Sequence, residues 1–132
     1  MTQSNSSEST LFTRLGGRSG ITRIVDRFYD LMDIDPAYAD LRAMHHADLN
    51  PMRTSLAGFL TAWVGGPRDW FVEHPNKCMM SAHAGLGITR TTADQWRIAM
   101  AHALNDCAVD ADLATPLNDA FEMMASSMAS AA

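Results

Sequence analysis

Histidines are the first candidates for chemistry in this chain, because a neutral imidazole is a common transition-metal ligand. His83 ends the run that begins at His74 and is followed by a stretch broken by Gly85 and Gly87. The run lies between two strongly amphipathic segments, so a short helix could present His83 to a ligand. A surface or core histidine is the alternative that the residue types leave open.

Two further histidines, His45 and His46, are adjacent in the sequence. Neighbouring residues on a helix point in different directions, so the two imidazoles do not form one metal site. We expect at most one of them to be buried. The cysteines, Cys78 and Cys107, form neither a CxxC motif nor a zinc-type spacing. With no export signal, they are expected to be reduced thiols in the cytoplasm.

Tyr29 and Trp96, like His83, fall on or beside the predicted inward faces of different segments. A core that takes in polar-tipped side chains must supply hydrogen-bond partners for them. For Tyr29 a backbone carbonyl would suffice. A cavity with a ligand at its centre would serve all three side chains together.

Apolar residues recur at helical spacing in four long segments, and no segment alternates with period two. The pattern predicts an all-α fold of five or six helices with glycine-rich corners. The first long segment, for which Ser19 is the expected N-cap, carries Ile21, Ile24, Val25, Phe28, Tyr29 and Met32 on one face. The second ends at Gly65-Gly66-Pro67, and residues 68–73 are expected to be irregular. Thr91 or Thr92 is expected to cap the third.

Length and composition predict a single domain, residues 11–130, after a disordered tail, residues 1–10. The chain has 132 residues, 47% of them hydrophobic, and a net charge of -5. That charge argues against nucleic acid and anionic membrane surfaces as partners, because both select a clustered basic face. No apolar run is long enough to span a bilayer. Four amphipathic helices could also form a cofactor-free helical interaction domain, which is the alternative function.

Several short motifs occur in a fixed order along most of the chain, from about Leu11 to Met128. They are Leu15-Gly16-Gly17, Val25-Asp26-Arg27-Phe28-Tyr29, Leu41-Arg42-Ala43-Met44-His45, Phe59-Leu60-Thr61-Ala62-Trp63-Val64-Gly65-Gly66-Pro67, His74-Pro75, Ser81-Ala82-His83 and Asp94-Gln95-Trp96. Together they resemble the truncated haemoglobins of group II. The resemblance implies the two-over-two globin fold, a helical sandwich.

The resemblance also implies a cofactor, haem b, with His83 as the proximal ligand that binds the iron through Nε2. Tyr29 and Trp96 match the distal hydrogen-bond donors of the family, and His45 matches a third, variable distal position. Both donors could hold the partial negative charge on bound dioxygen. The other residues implied to contact the cofactor are Leu56, Phe59, Met80 and Ile88.

The chain departs from the family pattern at several positions. Ser55 replaces the usual basic residue that reaches a haem propionate, which leaves Arg53, Lys77 and His74 as candidate substitutes. Met52 stands where a small gate residue is usual. The run before His83 is two residues longer than the pattern, and Cys78 lies in it, more readily interpreted as a small buried hydrophobe than as a redox group.

The implied function is reversible binding of dioxygen and other diatomic gases, nitric oxide and carbon monoxide. Nitric-oxide dioxygenation and peroxidase-like chemistry are further activities that such a pocket can support. A reductase that donates electrons would then be a partner. Oxygen transport, sensing and catalysis stay open at this point, as does the choice between a monomer and a homodimer.

Overall fold

The structure is a computed structural model that describes residues 10–73 and 87–131. Its helices, in chain order, are α1 (Leu11–Arg14), α2 (Gly17–Ile34), α3 (Ala39–Ala43), α4 (Asn50–Trp63), α5 (Asp69–Glu73), α6 (Arg90–Asp106) and α7 (Ala111–Ala131). A 3₁₀ turn, Pro36–Tyr38, precedes α3. No strand occurs in these ranges, and the predicted all-α class is confirmed.

The core forms where two helix pairs meet. Helix α2 packs against both α4 and α6, and α6 packs against α7. The predicted apolar face of α2 is buried along its whole length. The largest fully buried side chains are Val25, Phe28, Met32, Met100 and Leu104. Because α2 and α6 supply all five, the contact between these helices fixes where their neighbours Tyr29 and Trp96 lie.

The first corner begins α2 earlier than the sequence predicts. Gly16 and Gly17 have φ angles of 96° and 68°, in the left-handed region that glycine adopts without steric cost. With the turn completed there, α2 begins at Gly17 and its N-cap is Gly16. The expectation that Ser19 caps this helix was wrong, because the two glycines reverse the chain before Ser19 is reached.

Residues 69–73, expected to be irregular, form the short helix α5. Its Trp70 is buried and packs edge-on against Phe59 of α4, with ring centroids 5.6 Å apart. The Trp70 indole N–H also donates a hydrogen bond to the Ser55 hydroxyl, over 3.2 Å. A five-residue segment is too short to show helical periodicity, and contact with α4 stabilises it instead.

Helix α6 begins with a capping box whose N-cap is not one of the two threonines expected. The Thr89 side chain accepts a hydrogen bond from the Thr92 backbone N–H, and the Thr92 side chain accepts one from the Thr89 N–H. Thr89 is therefore the N-cap, and Thr92 is its partner three residues later. No helix in the described ranges combines the length and apolarity needed to cross a membrane.

Candidate functional site

Tyr29 lies in the centre of the fold on α2, with 3% of its surface exposed. Its ring packs edge-on against Phe28, at 4.8 Å between centroids, and against the imidazole of His45, at 6.1 Å. No residue in the ranges 10–73 and 87–131 forms a hydrogen bond with its hydroxyl. The backbone carbonyl that would satisfy a core tyrosine is thus not found in the described part of the chain, although buried hydroxyls are normally bonded.

Burial keeps the Tyr29 hydroxyl in its protonated form. The pKa of Tyr29 lies well above its ordinary value, mainly because burial disfavours the charged phenolate, and the nearby Arg53 guanidinium offsets only part of the rise. A phenol that stays protonated at every physiological pH is a permanent hydrogen-bond donor.

Trp96 approaches the same region from α6. Its half-buried side chain is wedged edge-on between Phe28 and Phe121, at centroid distances of 6.2 Å and 5.5 Å. Its indole N–H, like the Tyr29 hydroxyl, has no hydrogen-bond partner among the described residues. The Phe28 ring contacts both side chains, so the two donors, which have no hydrogen-bond partner among the described residues, lie next to the same phenylalanine.

His45 and His46 differ in burial, as predicted. His45 is half-buried, whereas His46 is exposed. The Nδ1 atom of His45 lies 2.8 Å from the Leu41 carbonyl oxygen. Because a carbonyl only accepts, this nitrogen carries the proton, and in the neutral ring the lone pair is on Nε2.

The remaining predicted pocket residues lie in three places. Leu56 and Phe59 are on α4, each 8% exposed, in the hydrophobic cluster that contains Tyr29. Ile88 is half-buried in the segment that precedes α6. Met80 and His83, the predicted proximal contacts, lie outside the described residues, as does Cys78.

Arg53, a candidate propionate ligand, has its guanidinium bonded to α2. Nη1 donates to the backbone oxygen and the carboxylate of Asp26, at 3.0 Å and 3.1 Å, and Nη2 donates to Asp30 at 2.8 Å. With these three bonds formed, Arg53 joins α4 to α2, and the structure does not favour it as a propionate ligand. Lys77 and His74 lie outside the described residues.

Gln95 makes a contact that the sequence did not predict. Its side-chain oxygen accepts a hydrogen bond from the Leu41 backbone N–H at 2.9 Å, and its amide nitrogen donates to Asp40 at 3.1 Å. Gln95 immediately precedes Trp96, within one of the recognised motifs. That position is the only signal in the sequence for its importance, since nothing local indicates a partner more than 50 residues earlier.

Comparison with known proteins agrees with this architecture. The family model of the bacterial-like globins matches residues 10–130. A curated relative, the group 2 truncated haemoglobin YjbI of Bacillus subtilis, is 26% identical over 112 residues, which span 85% of this chain and 83% of the relative.

Solved structures of similar proteins superpose over almost the whole chain. A cold-adapted truncated haemoglobin from the Antarctic marine bacterium Pseudoalteromonas haloplanktis is 31% identical with a TM-score of 0.87, covering 91% of this chain and 97% of its own. The group II 2-on-2 haemoglobin of Agrobacterium tumefaciens is 28% identical with a TM-score of 0.86, covering 90% and 92%. With the family model spanning the helical domain, the chain belongs to the bacterial-like globins, as a truncated haemoglobin of group II with the two-over-two fold.

Proposed function

We propose that this chain binds haem b through His83 and reversibly binds dioxygen and other diatomic ligands on the side of Tyr29 and Trp96. One observation carries the proposal: in the described part of the fold a buried tyrosine, Tyr29, and a half-buried tryptophan, Trp96, pack against the same core, and neither has a hydrogen-bond partner there. The globin family implies a haem cofactor.

The described residues fit such a group. Leu56 and Phe59 offer apolar side chains suited to a macrocycle, and the donors Tyr29 and Trp96, which have no partner in residues 10–73 and 87–131, suit a small ligand beside it. Haem, when bound, supplies an iron centre with a position open to a diatomic molecule. His83 would hold the iron, and Met80 and Ile88 would flank the cofactor.

The two donors have a defined task. Tyr29 stays neutral and Trp96 can only donate, so both present N–H or O–H dipoles at any physiological pH. Such dipoles stabilise a ligand that gains partial negative charge, as dioxygen does, more than one that gains little, as carbon monoxide does. The pair is therefore expected to slow the release of dioxygen selectively.

The same two donors favour nitric-oxide dioxygenation as a second candidate function. Retained dioxygen and nitric oxide combine with one electron to give nitrate, so the atoms balance once a reductase supplies that electron. Slow dioxygen release suits such a reaction better than it suits oxygen transport.

Two further expectations complete the proposal. Residues 11–130 form the haem domain behind a tail of residues 1–10, and the protein works in the cytoplasm. The free, buried thiol of Cys107 is consistent with a reducing compartment.

Haem titration tests the proposal. The chain, expressed with haem supplied, should show a Soret band. His83→Gly should lose it, because the variant lacks the imidazole proposed to bind the iron. Added imidazole should restore the band in His83→Gly by filling the vacated position. The matched control is His46→Ala, at an exposed histidine, which should bind haem normally. A colourless wild-type protein that gives no Soret band on titration would favour the cofactor-free interaction domain.

A further inference from the structure

Helix α6 holds the segment that leads to His45 by the Gln95 side chain. The Gln95 oxygen accepts the Leu41 backbone N–H, and the Gln95 nitrogen donates to the Asp40 carboxylate. A backbone N–H can bond only to the amide oxygen, and a carboxylate only to the amide nitrogen. The two partners therefore fix the orientation of the Gln95 amide independently.

Leu41 links Gln95 to the distal histidine. Its N–H is bonded to Gln95, and its carbonyl oxygen accepts the proton on Nδ1 of His45 at 2.8 Å. The Leu41 side chain is 5% exposed, so packing also restrains this residue. The His45 ring contacts Tyr29, which connects Gln95 through two hydrogen bonds to the distal donor.

A second bond joins α6 to the same region without involving Leu41. The Tyr38 hydroxyl lies 3.0 Å from Nδ1 of His102, two helical turns beyond Gln95. It provides a matched comparison, because it anchors the 3₁₀ turn directly before α3 to α6 but does not bond to the backbone that orients His45.

We propose that Gln95 is a positioning residue of the distal pocket, which, through Leu41, keeps the His45 proton on Nδ1 and the ring in one orientation beside Tyr29. The proposal rests on the proposed function. Without the Gln95 oxygen, the Leu41 N–H loses its partner and must bond to water, which loosens the carbonyl that receives the His45 proton. His45 would then populate a second tautomer or rotamer.

The test uses the haem-loaded ferrous protein with carbon monoxide bound. Nitrogen NMR shifts of the imidazoles, on isotope-labelled protein, report which nitrogen of His45 carries the proton. The infrared C–O stretch reports the polar field around the ligand. Gln95→Met, which keeps the length but neither bond, should give a mixed His45 tautomer and a split or broadened C–O band. Dioxygen release should change by about threefold, as expected for one redistributed hydrogen bond.

Other variants separate the two halves of the contact. Gln95→Lys can still pair with Asp40 but cannot accept the Leu41 N–H, so it should behave like Gln95→Met and replaces that variant if it does not fold. Gln95→Glu combined with Asp40→Asn keeps an oxygen that accepts the Leu41 N–H and restores the second bond in the opposite direction, with the new amide donating to the new carboxylate, so it should return the wild-type spectra. Tyr38→Phe should leave the His45 shifts and the C–O band unchanged.

Two results would overturn the proposal. One is a wild-type His45 tautomer and C–O band in both Gln95→Met and Gln95→Lys. The other is an equal change in Tyr38→Phe, which would make Gln95 a general anchor of the segment. If the wild-type protein binds no haem, the proposed function fails separately, and the His45 shifts measured on the protein as purified still decide the role of Gln95.

Discussion

The guanidinium of Arg53 lies over the ring of Tyr29, with its central carbon 5.7 Å from the ring centroid. The same guanidinium is bonded to Asp26 and Asp30, one helical turn apart on α2. Arg53 therefore ties α4 to α2 beside Tyr29, and its charge acts directly on the phenol. The cation lowers the pKa of Tyr29, against the larger rise caused by burial.

Arg53→Met should remove both effects while keeping the length of the side chain. The free energy of unfolding is expected to fall by about 1 kcal/mol, because the partner carboxylates are half-exposed and such pairs are weak. The melting temperature would fall by about 3–5 °C in a domain of this size. Far-UV circular dichroism measures the melting, and loss of the cation should move the pKa of the buried Tyr29 further above its ordinary value.

Arg18→Met is the control for Arg53→Met. Arg18 pairs with Asp69, but both side chains are more than half exposed, so the melting temperature should change little. Equal changes in melting temperature in the two variants would show that the bonds from Arg53 to α2 stabilise the fold no more than an exposed ion pair does.

Removing either of the proposed distal donors, Tyr29 and Trp96, should speed dioxygen release. A hydrogen bond of this kind is worth about 1 kcal/mol or slightly more, so Tyr29→Phe and Trp96→Phe should each raise the dissociation rate about five- to tenfold. Carbon monoxide release should change less, because that ligand carries less negative charge. Stopped-flow and flash-photolysis kinetics measure both rates.

The other tyrosine provides the control for Tyr29→Phe. The Tyr38 hydroxyl is bonded to His102 and is not a proposed ligand donor, so Tyr38→Phe should keep the wild-type dioxygen rate. Unchanged rates in both Tyr29→Phe and Trp96→Phe would argue against the role of these residues as donors.

Alkaline pH should weaken the fold through Tyr29. Its ordinary pKa is 10.0, and the folded-state pKa is higher because burial disfavours the phenolate. Below pH 10 both states keep the proton and the full stability is present. Above pH 10 the tyrosine ionises in the unfolded chain but not in the folded one. The free energy of unfolding then falls by about 1.4 kcal/mol per pH unit until the folded-state pKa is reached. Urea unfolding at about pH 9, 10 and 11 measures this slope.

Tyr29→Phe should reduce the loss of unfolding free energy with rising pH. Tyr38 contributes as well, since burial raises its pKa first and the Asp35 and Asp106 carboxylates raise it further. The double variant should therefore be flatter than either single one. If the free energy of unfolding falls with pH equally steeply in Tyr29→Phe and in the wild type, Tyr29 is not the buried, neutral group described.

Gly58→Ala should destabilise the protein through its contact with Trp70. A Cβ at position 58 would lie 2.9 Å from Cδ1 of the Trp70 ring, so the ring must move. We expect a loss of about 1–3 kcal/mol from overpacking, larger than the gain in helix propensity from alanine. Urea unfolding measures the change.

The Trp70→Ala background provides the matched comparison. Without the indole, Gly58→Ala should cost much less, because the 2.9 Å contact with Cδ1 is gone and only the milder 3.2 Å contact with the Cβ of residue 70 remains against the gain in helix propensity. If Gly58→Ala lowers the free energy of unfolding by the same amount in the wild type and in Trp70→Ala, the strain does not come from the Trp70 ring.

The periodicity of the sequence was sufficient to predict the long helices and the face that each one buries. Seven buried residues of α2 follow the helical spacing, so Tyr29 was predicted to point inward before any tertiary contact was known. The ordered motifs predicted the family, which the comparisons confirmed. Helical spacing predicts the buried face because burying its apolar residues is the main source of stability for an amphipathic helix.

The contacts between helices were decided only by the tertiary structure. The sequence suggested Arg53 as a propionate ligand, but its distance from Asp26 and Asp30 depends on how α4 packs on α2. Residues 69–73 were expected to be irregular, yet contact between Trp70 and α4 stabilises a helix there. The bond from Gln95 to Leu41 joins residues 54 positions apart. Local patterns determine which face of a helix turns inward, but the partner it meets depends on long-range packing, which no local spacing encodes.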